Sequence, residues 1–125
     1  MRGSVLVVGL GEVGKPLYGI LSEAFEKVYG YDSDSSKTVN TLDEVSRPVD
    51  FLHVAFPFKS GELFVRSVLE YVDIFSPGIV IVHSSVAPGT TRVIQSRADA
   101  DVVYSPVRGK HPHLREHLLF WPKWV

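Results

Sequence analysis

This sequence has no cysteine. That absence excludes disulfides, zinc–thiolate sites, iron–sulfur clusters and a cysteine nucleophile from the chain. It also lacks a charge excess: thirteen Lys and Arg against fourteen Asp and Glu leave a formal net charge of −1. Nothing in that total points to nucleic acid or an acidic membrane as a partner. No apolar stretch approaches the ~20 residues that a bilayer-spanning helix needs. The opening MRGSVLVVGLGEVG does not read as a signal peptide, because glycines break its apolar run and no small-residue cleavage site follows. Internal repeats, low-complexity stretches and linkers rich in Gly, Ser or Pro are missing too. Together these absences predict a cytoplasmic protein with neither membrane nor nucleic-acid partners.

What is present suits one domain. A chain of 125 residues, 45% of them hydrophobic, buries roughly two-thirds of its unfolded surface and needs no staples. Five short apolar, β-branched runs predict strands: residues 4–8, 28–31, 51–56, 79–83 and 102–104. They show little alternation, as expected of strands covered on both faces of a parallel sheet. Leu17, Ile20, Leu21, Ala24 and Phe25 form one helical stripe. Phe64, Val68, Tyr71, Val72 and Phe75 form a second, with Ser60 as its N-cap and Pro77-Gly78 as its stop. A shorter helix is expected from Pro88–Thr91 over Val93 and Ile94. The polar run from Asp32 to Val49 reads as a loop with one short helix around Leu42–Val45. The rhythm predicts an α/β fold: a doubly wound, mostly parallel sheet with Rossmann-type dinucleotide-binding topology.

Gly9-Leu10-Gly11-Glu12-Val13-Gly14 fits G-x-G-x-x-G between the first strand and the first helix. Gly9 makes the tight turn, Gly11 lets the backbone approach a pyrophosphate, and Gly14 lets helix pack on strand. The anion would then sit at the helix N-terminus, against Glu12 and Val13. Asp32 ends the second strand eighteen residues past Gly14, where a carboxylate accepts hydrogen bonds from ribose hydroxyls. It repels a 2′-phosphate, and Ser33-Asp34-Ser35-Ser36 offers no arginine to receive one, so NAD is favoured over NADP. Methyltransferases also place an acid after their second strand, so this motif alone leaves S-adenosylmethionine open.

Further motifs narrow the reading. The order GLGEVGKPL, YGYD, VAFPF, SSVAPGTT and YSPVRG resembles the N-terminal domain of the UDP-glucose/GDP-mannose dehydrogenase family, within the 6-phosphogluconate-dehydrogenase-like group. The resemblance implies a single NAD-binding Rossmann domain over residues 1–125, the N-terminal part of a longer dehydrogenase. It assigns Gly9, Gly11, Gly14 and Asp32 to the cofactor and sets Phe56-Pro57 on its adenine-ribose side. Ser84 and Ser85 fall on the loop near the nicotinamide, with Ser85 supplying the hydroxyl that the family's threonine supplies. Val107 stands where the family has an acid–base glutamate, and the family's catalytic cysteine has no counterpart.

Past the fifth strand, Arg108 and Lys110 are candidate anchors for a phosphorylated or nucleotide-sugar substrate, and His111 or His113 a candidate proton acceptor. His111, His113 and His117 are poor metal ligands as a set, and no metal is expected. The apolar end, Leu118–Val125, predicts a homo-oligomer contact or a C-terminal domain that covers it. The function expected is the NAD-binding domain of a dehydrogenase oxidising a CH–OH group, with Ser85 and His111 as catalytic candidates. The alternative is a stand-alone NAD(H)-binding or redox-sensing module without turnover.

Overall fold

A computed structural model describes residues 3–106. In chain order they form β1 (Ser4–Val8), α1 (Gly14–Ala24), β2 (Lys27–Tyr31), a 3₁₀ turn (Leu42–Glu44) and β3 (Phe51–Val54). Then come α2 (Gly61–Phe75), β4 (Ile79–Val82), α3 (Thr90–Arg97) and β5 (Asp101–Tyr104). The strands make one sheet in the order β2-β1-β3-β4-β5, and every neighbouring pair is parallel. This is a doubly wound α/β fold of Rossmann type. Winding reverses at β1, so the switch point lies between β1 and β3.

The alternation of side chains on β1 builds two layers. Val5 and Val7 pack with Leu10 and Leu17 on the α1 side. Leu6 and Val8 face the other way, toward Phe64, Val68, Val72 and Phe75 of α2 and Ile94 of α3. Burial on both faces therefore holds for β1, where Val5–Val8 are at most 2% exposed. It fails for β3 and β4. There Leu52, Val54, Val80 and Val82 are fully buried, while Phe51, His53, Ile79 and Ile81 are only half-buried. The reason is coverage: α1 packs on β1 and β2, and its C-terminal Phe25 reaches only as far as Phe51, edge-on at 5.9 Å.

Strand ends also differ from the apolar runs. β3 stops at Val54 and β4 at Val82, because Ala55-Phe56 and His83-Ser84 already belong to the loops above the sheet. α2 starts as expected, with the Ser60 hydroxyl accepting the Leu63 N–H at 3.3 Å. Its end is set one residue before Pro77-Gly78, by Ser76 in the left-handed conformation (φ 45°, ψ 52°). A residue that precedes proline is pushed out of the right-handed helical region, which ends the helix there. The loop before β3 holds the 3₁₀ turn through a capping box between Thr41 and Glu44. It also sends Val45 and Val49 into the core at 4% and 2% exposure, although the run reads as polar. No helix among the described residues is long and apolar enough to cross a membrane.

Candidate functional site

Where the chain reverses its winding, the loops after β1 and β3 part and leave a cleft of about 980 Å³ beyond the C-terminal strand ends. Open α/β sheets bind ligands at this position. Asp32, Ser33 and Lys37 form its β2 side, and Gly9, Gly11, Glu12 and Val13 its floor. The exit of β3, residues 55–59, forms one wall with Ser67 and Tyr71 of α2; His83, Ser84 and Ser85 close the far end.

The three motif glycines do different work. Gly9 has φ +96°, and a Cβ there would meet the Phe56 nitrogen at 2.5 Å. Gly14 is buried under the loop, where a Cβ would collide with the carbonyl oxygen of Gly9. Gly11 is different: its φ lies outside the left-handed region, and a Cβ would meet nothing within 4 Å. The protein itself does not require glycine there, so the open space at Gly11 belongs to the cleft. Around it, the N–H groups of Gly11, Glu12, Val13 and Gly14 donate to no acceptor among the described residues. Val13 caps α1 without a side-chain bond, so the positive end of the helix dipole is uncompensated.

Asp32 ties this loop to the end of β2. Its Oδ2 accepts the Leu10 N–H at 2.8 Å, and its Oδ1 accepts the Asp34 N–H at 2.8 Å. A carboxylate takes about four hydrogen bonds, so capacity for ribose hydroxyls remains. The next turn folds back: Asp34 Oδ1 accepts the Ser36 hydroxyl at 2.7 Å and the Ser36 N–H at 3.0 Å. Those bonds hold the Asp34 carboxyl below its ordinary value and keep the turn charged at neutral pH. The turn brings Lys37 to the rim beside Asp32. Reading only as far as Ser36 missed this cation; a lysine just past the acid was the available signal.

At the other end, the Ser84 hydroxyl is 2.6 Å from the Phe56 carbonyl and donates to it, joining the exits of β3 and β4. Ser84 therefore positions the wall, while Ser85 is exposed at the cleft. His83 is 4% exposed and also lines the cleft, with its Nδ1 3.0 Å from the Ser105 carbonyl oxygen. Tyr71 was assigned to the core stripe of α2, yet it is half-buried in the cleft wall, with Phe56 6.1 Å away. Burial, then Tyr31, Glu70 and Asp32, pushes its phenol above the usual range, so it remains a hydrogen-bond donor at neutral pH.

Of the sequence candidates, Gly9, Gly11, Glu12, Val13, Asp32, Phe56, Pro57, Ser84 and Ser85 all line this one cleft. Gly14 supports it from below. His111, Arg108, Lys110, Val107 and the apolar C-terminal run lie outside the described residues.

No family model matches this sequence, and no curated protein does. Solved structures do. The chain is similar to Mycobacterium tuberculosis 3-hydroxyisobutyrate dehydrogenase solved with L-serine: TM-score 0.70 and 21% identity, over 87% of this chain and 42% of that one. It is similar to Pseudomonas aeruginosa GDP-mannose dehydrogenase in a ternary complex: TM-score 0.64 and 18% identity, over 90% and 38%. It is similar to Psf3 in complex with NADP⁺: TM-score 0.55 and 21% identity, over 84% and 43%. The likeness is one of fold. The chain spans less than half the length of each of these three proteins.

Proposed function

We propose that this chain binds NAD in the switch-point cleft, as the cofactor domain of a dehydrogenase that oxidises a CH–OH group, with a nucleotide sugar as the substrate class. The observation that carries the reading is the pairing of the undonated N–H groups at Gly11–Gly14 with the Asp32 carboxylate on one cleft. The first suits a pyrophosphate and the second a ribose. The space at Gly11, where a Cβ would touch nothing in the protein, fits a ligand lying against the loop. When bound, the nicotinamide accepts a hydride from the substrate carbon.

The chain's own residues supply orientation. Asp32 fixes the adenosine end, and Phe56 and Pro57 line that side. The Ser84–Phe56 bond holds the wall in place, and Ser85 offers a hydroxyl at the nicotinamide end. The substrate class rests on the motif resemblance. GDP-mannose dehydrogenase is among the proteins of similar fold. The presence of 3-hydroxyisobutyrate dehydrogenase there makes a small hydroxy acid the competing class. His111 remains the proposed proton acceptor, and a homo-oligomer or further domain the proposed cover for residues 118–125.

Lys37 gives a 2′-phosphate one point charge, opposed by the Asp32 carboxylate beside it. Calorimetry with NAD, NADP and S-adenosylmethionine on the native chain and on Asp32→Ala decides among these ligands. NAD should bind, and Asp32→Ala should weaken it about tenfold or more, as expected for lost hydrogen bonds to a charged group. Tight NADP binding that ignores the Asp32 change, or preference for S-adenosylmethionine, would sink the assignment.

A further inference from the structure

We propose that the hydroxyls of Ser67 and Tyr71, one turn apart on α2, hold the adenine base of the dinucleotide. The inference rests on the dinucleotide reading above and adds the contacts to the base that the reading leaves open. Ser67 and Tyr71 stand four residues apart on α2, so their side chains share one flank of the helix. That flank borders the buried stripe of Phe64, Val68, Val72 and Phe75. Both residues are half-buried, and both line the cleft.

A serine inside a helix either turns its hydroxyl back to a carbonyl of the preceding turn or points it away from the helix. Ser22 of α1 turns back, donating to the Tyr18 carbonyl at 2.7 Å, and Ser96 of α3 donates to the Val93 carbonyl at 2.7 Å. Ser67 makes no such bond. Neither it nor the Tyr71 phenol has a hydrogen-bond partner among the described residues. Every buried side-chain nitrogen and oxygen among those residues does have one, so these two hydroxyls are open to the cleft. The Tyr71 ring is held by its neighbours. It lies 6.3 Å from Tyr31, the last residue of β2, and 6.1 Å from Phe56, just past β3. A phenol packed between two rings presents its oxygen in one place, so little freedom is lost on binding.

Position decides which part of the ligand these hydroxyls meet. Tyr31 is the residue before Asp32, so Tyr71 stands at the end of the cleft where that carboxylate is assigned to the adenosine ribose. With the ribose on Asp32 and the pyrophosphate on the glycine loop, the base has two ways to turn. One leads over the exposed turn from Ser33 to Lys37, which offers no ring. The other leads to the α2 wall, where Phe56 and Tyr71 offer aromatic surface. Adenine is a flat ring system with an amine that donates and ring nitrogens that accept. The Tyr71 hydroxyl, protonated at neutral pH, can donate to a ring nitrogen. The Ser67 hydroxyl rotates freely and can accept from the amine. Nicotinamide would meet the same pair only if the dinucleotide lay in reverse, with its other ribose on Asp32.

The test is calorimetry of the full chain with NAD and with ADP-ribose, which share the adenosine half, on the native chain, Tyr71→Phe and Ser67→Ala. Each variant removes one oxygen and keeps the packing around it. Each should raise the Kd for both ligands by the same factor, about two- to tenfold, the worth of one neutral hydrogen bond. A second measurement needs no variant. In the native chain saturated with NAD, the adenine ring protons should show nuclear Overhauser contacts to the Tyr71 ring, and the nicotinamide protons should show none. An unchanged Kd in either variant, a loss confined to NAD, or nicotinamide contacts at Tyr71 would overturn the inference and leave the dinucleotide reading standing. Binding of neither ligand to the native chain would overturn both.

Discussion

Gly11 and Gly14 stand three residues apart in one motif, yet their hydrogens serve different partners. At Gly14 an added Cβ runs into the carbonyl of Gly9, a backbone atom that cannot give way. Gly14→Ala should therefore cost on the order of 1–3 kcal/mol of folding stability by overpacking, read by urea denaturation. At Gly11 the same methyl enters open space. Gly11→Ala should leave stability within about 0.5 kcal/mol and weaken NAD at least tenfold, because only the ligand needs the room. Equal loss of stability in both variants would contradict this division. The turn at Gly9 and the close packing at Gly14 were legible in the sequence, since a strand, a glycine spacing and a helix stripe stood in order. The place of Asp32 just past β2 was legible for the same reason. Lys37 left only a weak signal, a lysine just past the acid, because it reaches the cleft through the Asp34–Ser36 turn.

Helix boundaries carry their own tests. Ser60 accepts the Leu63 N–H at the start of α2, so Ser60→Ala should lower stability by about 1 kcal/mol. At the other end Ser76 holds a left-handed conformation that disfavours any residue with a Cβ. Ser76→Gly should raise stability by about 0.5–1 kcal/mol in the same denaturation experiment. Opposite signs at the two ends of one helix separate cap chemistry from general surface effects. Strand and helix positions were readable because period and caps are local properties. Where strands stop was not, because β3 and β4 end at the loops above the sheet while their apolar runs continue. Val45 and Val49 were hidden likewise: single valines in a polar run become core only when the loop crosses under α2.

At the scale of the molecule, the order β2-β1-β3-β4-β5 places the glycine motif, Asp32, Phe56-Pro57 and Ser84-Ser85 at one end of the sheet among the described residues. That convergence follows from parallel pairing, which gathers all the C-terminal strand ends on one edge, and the βαβ rhythm of the sequence was enough to foresee it. Coverage of the sheet was not foreseeable, since apolar runs look alike whether one face or two are packed. On the α1 side, Ile79, Ile81 and Val103 stay half-buried. Bound NAD should stabilise the fold by mass action, about 2.7 kcal/mol at a hundredfold excess over Kd, seen as a rise in Tm. Where it binds is the central question, and amide chemical-shift mapping with NAD answers it most directly. The shifts should cluster at Gly9–Gly14, Asp32–Lys37, Ala55–Phe58 and His83–Ser85, around the switch point. Shifts centred on α3 and β5, or none at saturating NAD, would contradict the cleft as the cofactor site.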